Sequence, residues 1–193
     1  MFNPELYMIP NREDALKLLH QYIENDRMIA HSLSSEAVMR AMALHLDRNV
    51  EKWGIAGLLH DLDVEITHAD PYQHGLETAR MLAEMDVDAD VVDAIRMHNE
   101  MATGLVRNTE FQHALAAGET ITGLITATAM VYPDKKVGSV KPKSVVKRMK
   151  EKAFAASVKR ENILECEKIG IPIDQFAALA VAAMADIAED IGL

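Results

Sequence analysis

Residues 53–61 read Trp53-Gly54-Ile55-Ala56-Gly57-Leu58-Leu59-His60-Asp61. The apolar run predicts a short buried helix, and it closes on an imidazole beside a carboxylate, which is half of a metal site. Adjacent helical residues point about 100° apart, so this pair cannot enclose an ion by itself. It can grip one from the shoulder of its helix if other helices supply the remaining ligands. The chain offers His31 upstream, and His74, His98 and Glu119 downstream.

Working outward, helical signals continue on both sides. Asn11 reads as an N-cap with Asp14 at N3, opening a helix to about Asn25 whose inward stripe is Ala15, Leu16, Leu19, Tyr22 and Ile23. A second helix is expected from Met28 or His31 to Asp47, and a third from Asn49 or Val50 to the His60-Asp61 pair. Residues 64–73 read as a loop closed by Asp70-Pro71. Helices are then expected from His74 to Met85 and, after the cap Asp88, through His98. A polar loop from Thr103 to Glu110 precedes a long buried helix over 111–132, which Pro133 stops. Further helices are expected at about 143–152, 154–169 and 174–191. No stretch alternates with period two, so the fold class is all-α.

The 193 residues suffice for one domain with a real core. The expected division is 1–134, an N-terminal helix plus the metal-binding helical core, and 135–193, a basic loop and C-terminal helices packed on the same domain. Few aromatics and abundant Met, Ala and Leu favour helix over sheet. A formal net charge of −10 argues against a nucleic-acid polymer or an anionic membrane as the main partner. The single Cys166 excludes an internal disulfide and fits a reducing cytoplasm, the expected location. The N-terminus, Met-Phe-Asn-Pro-Glu, lacks the basic and apolar regions of a signal peptide. The apolar span from Ala114 holds Glu119 and four threonines, so it reads as a buried central helix rather than a membrane span.

Each candidate ligand has an ordinary alternative. His98 continues the stripe Val91, Ala94 and Ile95, so its ring faces inward, where a backbone carbonyl could satisfy it. His31 could be a solvated helix start and His74 a solvated turn. His68 is either a loop histidine or a substrate-facing one, while His20, His45 and His113 read as structural or surface residues. Glu119 is the only charge in an 18-residue apolar span. Burying it bare costs several kcal/mol, which leaves a metal, a lysine or arginine partner, or a protonated acid.

The order His31, His60-Asp61, His74, His98, Glu119 resembles the HD-domain superfamily over roughly residues 28–132. Ile-Ala-Gly-Leu-Leu-His-Asp-Leu is similar to the HD segment of its HDIG-type branch, with Leu62-Asp63 where the branch name has Ile-Gly. Tyr72-Gln-His-Gly and Ala94-Ile-Arg-Met-His-Asn-Glu are similar to the third and fourth histidine segments. The segment around Glu119 resembles the one that carries the final ligand, although the family usually ends on aspartate.

This resemblance implies an HD-domain-like helical bundle with additional C-terminal helices, holding one or two divalent ions and hydrolysing phosphoesters. The implied ligands are His31, His60, Asp61 and Glu119 around one ion, with His74 and His98 for a second and Asp61 as the bridge. His60 and Asp61 are the expected catalytic pair. Imidazoles with carboxylates suit Mn, Fe, Co, Ni or Zn better than Mg or Ca. The expected substrate is a small phosphate ester, with a nucleotide as one form, attacked by a metal-activated water.

Residues 135–152 hold 8 of the chain's 20 basic residues. They form either a solvated face or a substrate site in which Lys135, Lys136, Lys141 or Lys143, with His68, meets phosphate. Ser144 is expected to cap that segment's helix. The apolar C-terminal helix is expected to seal the core, with pairing in a homo-oligomer as the alternative. Two other functions stay open: a di-iron oxygenase on the same scaffold, and a non-catalytic nucleotide or ligand sensor, which the replacement of aspartate by Glu119 would suit.

Overall fold

The computed structural model describes residues 9–193. The first eight, on which the reading of the N-terminal sequence rests, lie outside the described residues. Among the described residues ten α-helices follow one another: α1 Arg12–Tyr22, α2 Asp26–His45, α3 Val50–Leu59, α4 Leu76–Glu84, α5 Ala89–His98, α6 Glu100–Thr103, α7 Glu110–Met130, α8 Pro142–Arg148, α9 Arg160–Ile163 and α10 Ile173–Asp186. Two 3-10 helices, Val137–Ser139 and Leu164–Ile169, join them, and no strand occurs among the described residues.

Short polar side chains start six of the ten described helices by accepting from orphan amides. Asn11 accepts from Asp14 N at 2.9 Å and Asn49 from Lys52 N at 3.0 Å. Thr109 and Gln112 cap each other reciprocally at the start of α7. The core is one cluster running from Ala15 to Ile191, with α2, α3 and α7 at its centre. Gly57 lets α3 close on α2: a Cβ there would lie 2.6 Å from Ser35 O. Trp53 of α3 stacks on Phe111 of α7, ring centroids 5.2 Å apart. No single helix of the described residues is long and apolar enough to cross a membrane. Much of α7 is buried within the fold. Downstream of it, α10 packs on α2, α7 and α8 through Phe176, Ala180 and Met184.

The expected helix over 154–169 is not continuous. Residues 151–158 form a tight turn in which Ala155 has φ 45. The Arg160 guanidinium donates to the carbonyls of Ala155 at 2.6 Å and Val158 at 2.7 Å, and to that of Phe154. Only α9 and a 3-10 helix follow. α4 starts two residues later than expected because Gly75 takes φ 90, and α8 ends at Arg148 rather than running to residue 152.

Candidate metal centre

Six side chains from five parts of the chain meet at one end of the bundle. His31 lies in the second turn of α2, and His60 ends α3 with Asp61 beside it. His74 sits in the turn before α4, His98 is the last residue of α5, and Glu119 is in the middle of α7. His31, His60 and Glu119 each offer a ligand atom, all within 4.8 Å of one another, and Asp61, His74 and His98 form a second such group. Asp61 spans both: Oδ1 is 3.1 Å from His74 Nε2 and 3.2 Å from His60 Nε2, and Oδ2 is 3.5 Å from His31 Nε2. The expected set of four ligands around one ion is thus drawn here as two groups of three, joined through Asp61.

The ring orientations are fixed from behind. His60 Nδ1–H donates to Gly57 O at 2.9 Å, and His98 Nδ1–H to Ile95 O at 2.6 Å. His74 Nδ1 is 2.7 Å from Asp63 Oδ1. Thr122 gives its hydroxyl proton to Glu119 O at 2.6 Å, so its oxygen can accept from His31 Nδ1 at 3.0 Å. With each Nδ1 committed as a donor, a neutral ring presents a bare lone pair at Nε2. These lone pairs face each other: His31 Nε2 and His60 Nε2 are 3.2 Å apart, as are His74 Nε2 and His98 Nε2. Lone pairs at that distance repel unless a cation or proton lies between them. Second partners of this kind, on carbonyl or carboxylate, are what orient metal-binding imidazoles.

The electrostatics agree with that reading. Burial pushes His60 down to about 3, keeping the ring neutral. Burial would raise the Asp61 carboxyl, but His60, His74 and His98 hold it well below the usual range. Burial also disfavours charge on His74, yet Asp61 and Asp63 outweigh it and push the ring up to about 10. A proton there does the work of a cation. Burial pushes Glu119 up, against the pull of His31 and His98, and Thr120 donates to its Oε1. Among the described residues no lysine or arginine pairs with Glu119, leaving a metal or a proton to neutralise it. The donor set fits divalent ions, and the two clusters are able to hold them.

Several contributors carry no sequence signal of their own. Asp63, fully buried, accepts from Gly75 N at 2.7 Å and Thr78 N at 3.0 Å besides holding His74. Asn99 donates to Pro71 O at 2.8 Å and His74 O at 2.9 Å, tying the His74 turn to the end of α5.

Above the ligands lies a cleft of about 300 Å³, whose far wall includes Ser157, Lys159 and Asn162. Lys135, Lys136, Lys141, Lys143 and His68, expected to meet substrate, do not line it. The reason is helix length: α7 carries the chain about 16 Å from Glu119 to Met130 before the lysines begin. Lys141 and Lys143 instead border a separate groove with Val146 and Asp174. His68 is exposed in the loop after Asp63, at φ 52. His113, read as a structural or surface residue, lies 2.8 Å from Glu165 Oε2, a residue 52 positions away in sequence. Tyr132 OH is 3.1 Å from Ser144 Oγ, and Ser144 does not cap α8, which starts with Pro142 in its first turn.

Against known proteins, the profile described as HD domain matches residues 28–130. No curated protein and no solved structure matches the chain.

Proposed function

Because the chain belongs to the HD-domain family, whose members are typically metal-dependent phosphohydrolases, we propose that it hydrolyses a small phosphate ester with the help of one or two divalent transition ions. The observation that carries this reading is the facing of Nε2 atoms at 3.2 Å in both histidine pairs, each ring already committed at Nδ1. His31, His60 and Glu119 would hold one ion, and Asp61, His74 and His98 the other. Ions bound there supply Lewis acidity to a phosphoryl oxygen and lower the pKa of water.

The protein's own groups do the rest. Asp61 spans both clusters and keeps their separation fixed. Asp63, Gly57 O, Ile95 O and Thr122 hold the rings so that no ligand must reorient during turnover. Such preorganisation is where much of the rate enhancement in phosphoryl transfer arises.

The test starts with elemental analysis of protein purified without added metal or chelator. Turnover of phosphomonoesters and cyclic nucleotides is then assayed with Mn, Fe, Co or Ni restored. No hydrolysis with any of them sinks the proposal. A second reading has its own support: each cluster combines two imidazoles with one carboxylate, the donor set of non-haem iron oxygenases. Oxygen consumption by the iron-loaded protein, without phosphate release, would favour it.

A further inference from the structure

The wall of the cleft opposite the ligands comes from residues 157–162, outside the matched region 28–130. Among the described residues Lys159 is the only lysine or arginine that lines the cleft. Lys17, Lys52, Lys147 and Lys168 each have a carboxylate partner; Lys159 shares with Lys135, Lys136, Lys141, Lys143, Lys150 and Lys152 the lack of an ion pair among the described residues, and of these it is the one that lines the cleft. In a chain of net charge −10, a cation left unpaired at the mouth of a cleft of metal-ligating side chains is conspicuous.

Its backbone is fastened on both sides. Before it, Arg160 holds the carbonyls of Phe154, Ala155 and Val158, and Arg148 lies 3.8 Å from the centre of the Phe154 ring. After it, buried Asn162 accepts from Arg107 Nη2 at 3.0 Å. Arg107 Nη1 reaches Met97 O and His98 O, both at 3.1 Å. The wall is therefore bolted to the end of α5 that bears a metal-ligating histidine. Asn162 Nδ2 makes one long bond, 3.4 Å to Thr120 Oγ1, and has a second proton to offer.

We propose that Lys159, with Asn162 beside it, binds the non-bridging oxygens of the substrate's phosphate and selects phosphomonoesters over diesters. The inference rests on the hydrolytic reading above and names the substrate class for that same site. A terminal phosphate carries up to two negative charges and three free oxygens. A diester carries one charge and two free oxygens, so an additional cation favours the monoester.

The experiment titrates inorganic phosphate by calorimetry into the manganese-loaded full chain as wild type, Lys159→Gln and Lys159→Arg. Lys159→Gln should bind phosphate about tenfold or more weakly, and Lys159→Arg should restore most of the loss. Manganese affinity and thermal midpoint should not move, which separates phosphate binding from a structural role. In parallel, KM for p-nitrophenyl phosphate should rise by a larger factor in Lys159→Gln than KM for bis-p-nitrophenyl phosphate, so that the preference for the monoester narrows.

Equal phosphate affinity in Lys159→Gln, no phosphate binding by wild type, or an equal fall in manganese affinity overturns the proposal. The two readings fail separately. Phosphate binding through Lys159 without hydrolysis of either ester sinks the hydrolase and leaves the anion site. Hydrolysis that is indifferent to Lys159→Gln does the reverse.

Discussion

Asp63 Oδ1 lies 2.7 Å from His74 Nδ1, so one fully buried carboxylate sets the tautomer of a metal-ligating ring while its other oxygen accepts Gly75 N and Thr78 N at the start of α4. Asp63→Asn puts an amide where an anion stood. If its NH2 faces His74, the ring must accept at Nδ1 and carry its proton on Nε2, the atom that should face the metal. Metal affinity at the Asp61, His74 and His98 cluster should fall about 10- to 100-fold by calorimetry. Asp63→Ala should also cost about 1–3 kcal/mol in chemical denaturation, because two buried amides lose their acceptor.

Gly75 has φ 90, and a Cβ there would lie 2.8 Å from His98 Cε1. Gly75→Ala therefore combines backbone strain with displacement of a ligand ring. We expect a loss of about 1–3 kcal/mol and weaker metal binding at the same cluster. Gly104 also has positive φ, 65, but open space around its Cβ position. Gly104→Ala should show strain alone, about 1 kcal/mol, with metal affinity unchanged. Equal metal affinities in the two variants would contradict the close contact at His98.

Glu119 is half-buried in α7 without a basic partner among the described residues, and desolvation raises its pKa. Its charge is a burden to the metal-free fold and an asset to the loaded one. Glu119→Gln should leave the metal-free protein as stable or more so, and make the manganese-loaded protein less stable. Thermal midpoints measured with chelator and with manganese test the crossover. Elemental analysis should show metal lost from the His31 and His60 cluster and retained by the other.

What the sequence disclosed follows from what each residue needs. The long helix α7 was legible because an apolar run with one carboxylate has few solutions. The order of histidines, with the HD pair ending an apolar helix, pointed to the family. The roles of Asp63, Thr122 and Asn99 were not legible, since their partners are defined only after α4, α5 and α7 pack. The basic run at 135–152 was read toward substrate by composition alone, and composition carries no direction. Lys159, one lysine beyond that run, lines the cleft because a turn over residues 152–158 stands where a helix was expected. There the Arg160 guanidinium clasps three carbonyls of the preceding turn.

Glu165 joins the C-terminal elements to the metal-bearing ones. It accepts from Arg107 at 2.8 and 3.0 Å and lies 2.8 Å from His113 Nδ1. Burial would raise its pKa, but Arg107 and His113 outweigh that and hold it below the ordinary glutamate value of 4.5. A depressed carboxyl pKa means that its stabilisation is fully present above 4.5 and is lost as pH falls through the lower folded-state value. Glu165→Gln removes this dependence and leaves the buried Arg107 guanidinium with only the longer pair to Glu100 at 3.4 Å, which should cost about 3 kcal/mol near neutral pH. Denaturant unfolding of both proteins from about pH 7 down to about pH 3 should show a wide gap that narrows only below the ordinary glutamate value. A gap of constant width throughout would mean that Glu165 is not the charged partner of Arg107. The bolt between the cleft wall and His98 would then have to be sought in Asn162 and the carbonyls at the end of α5.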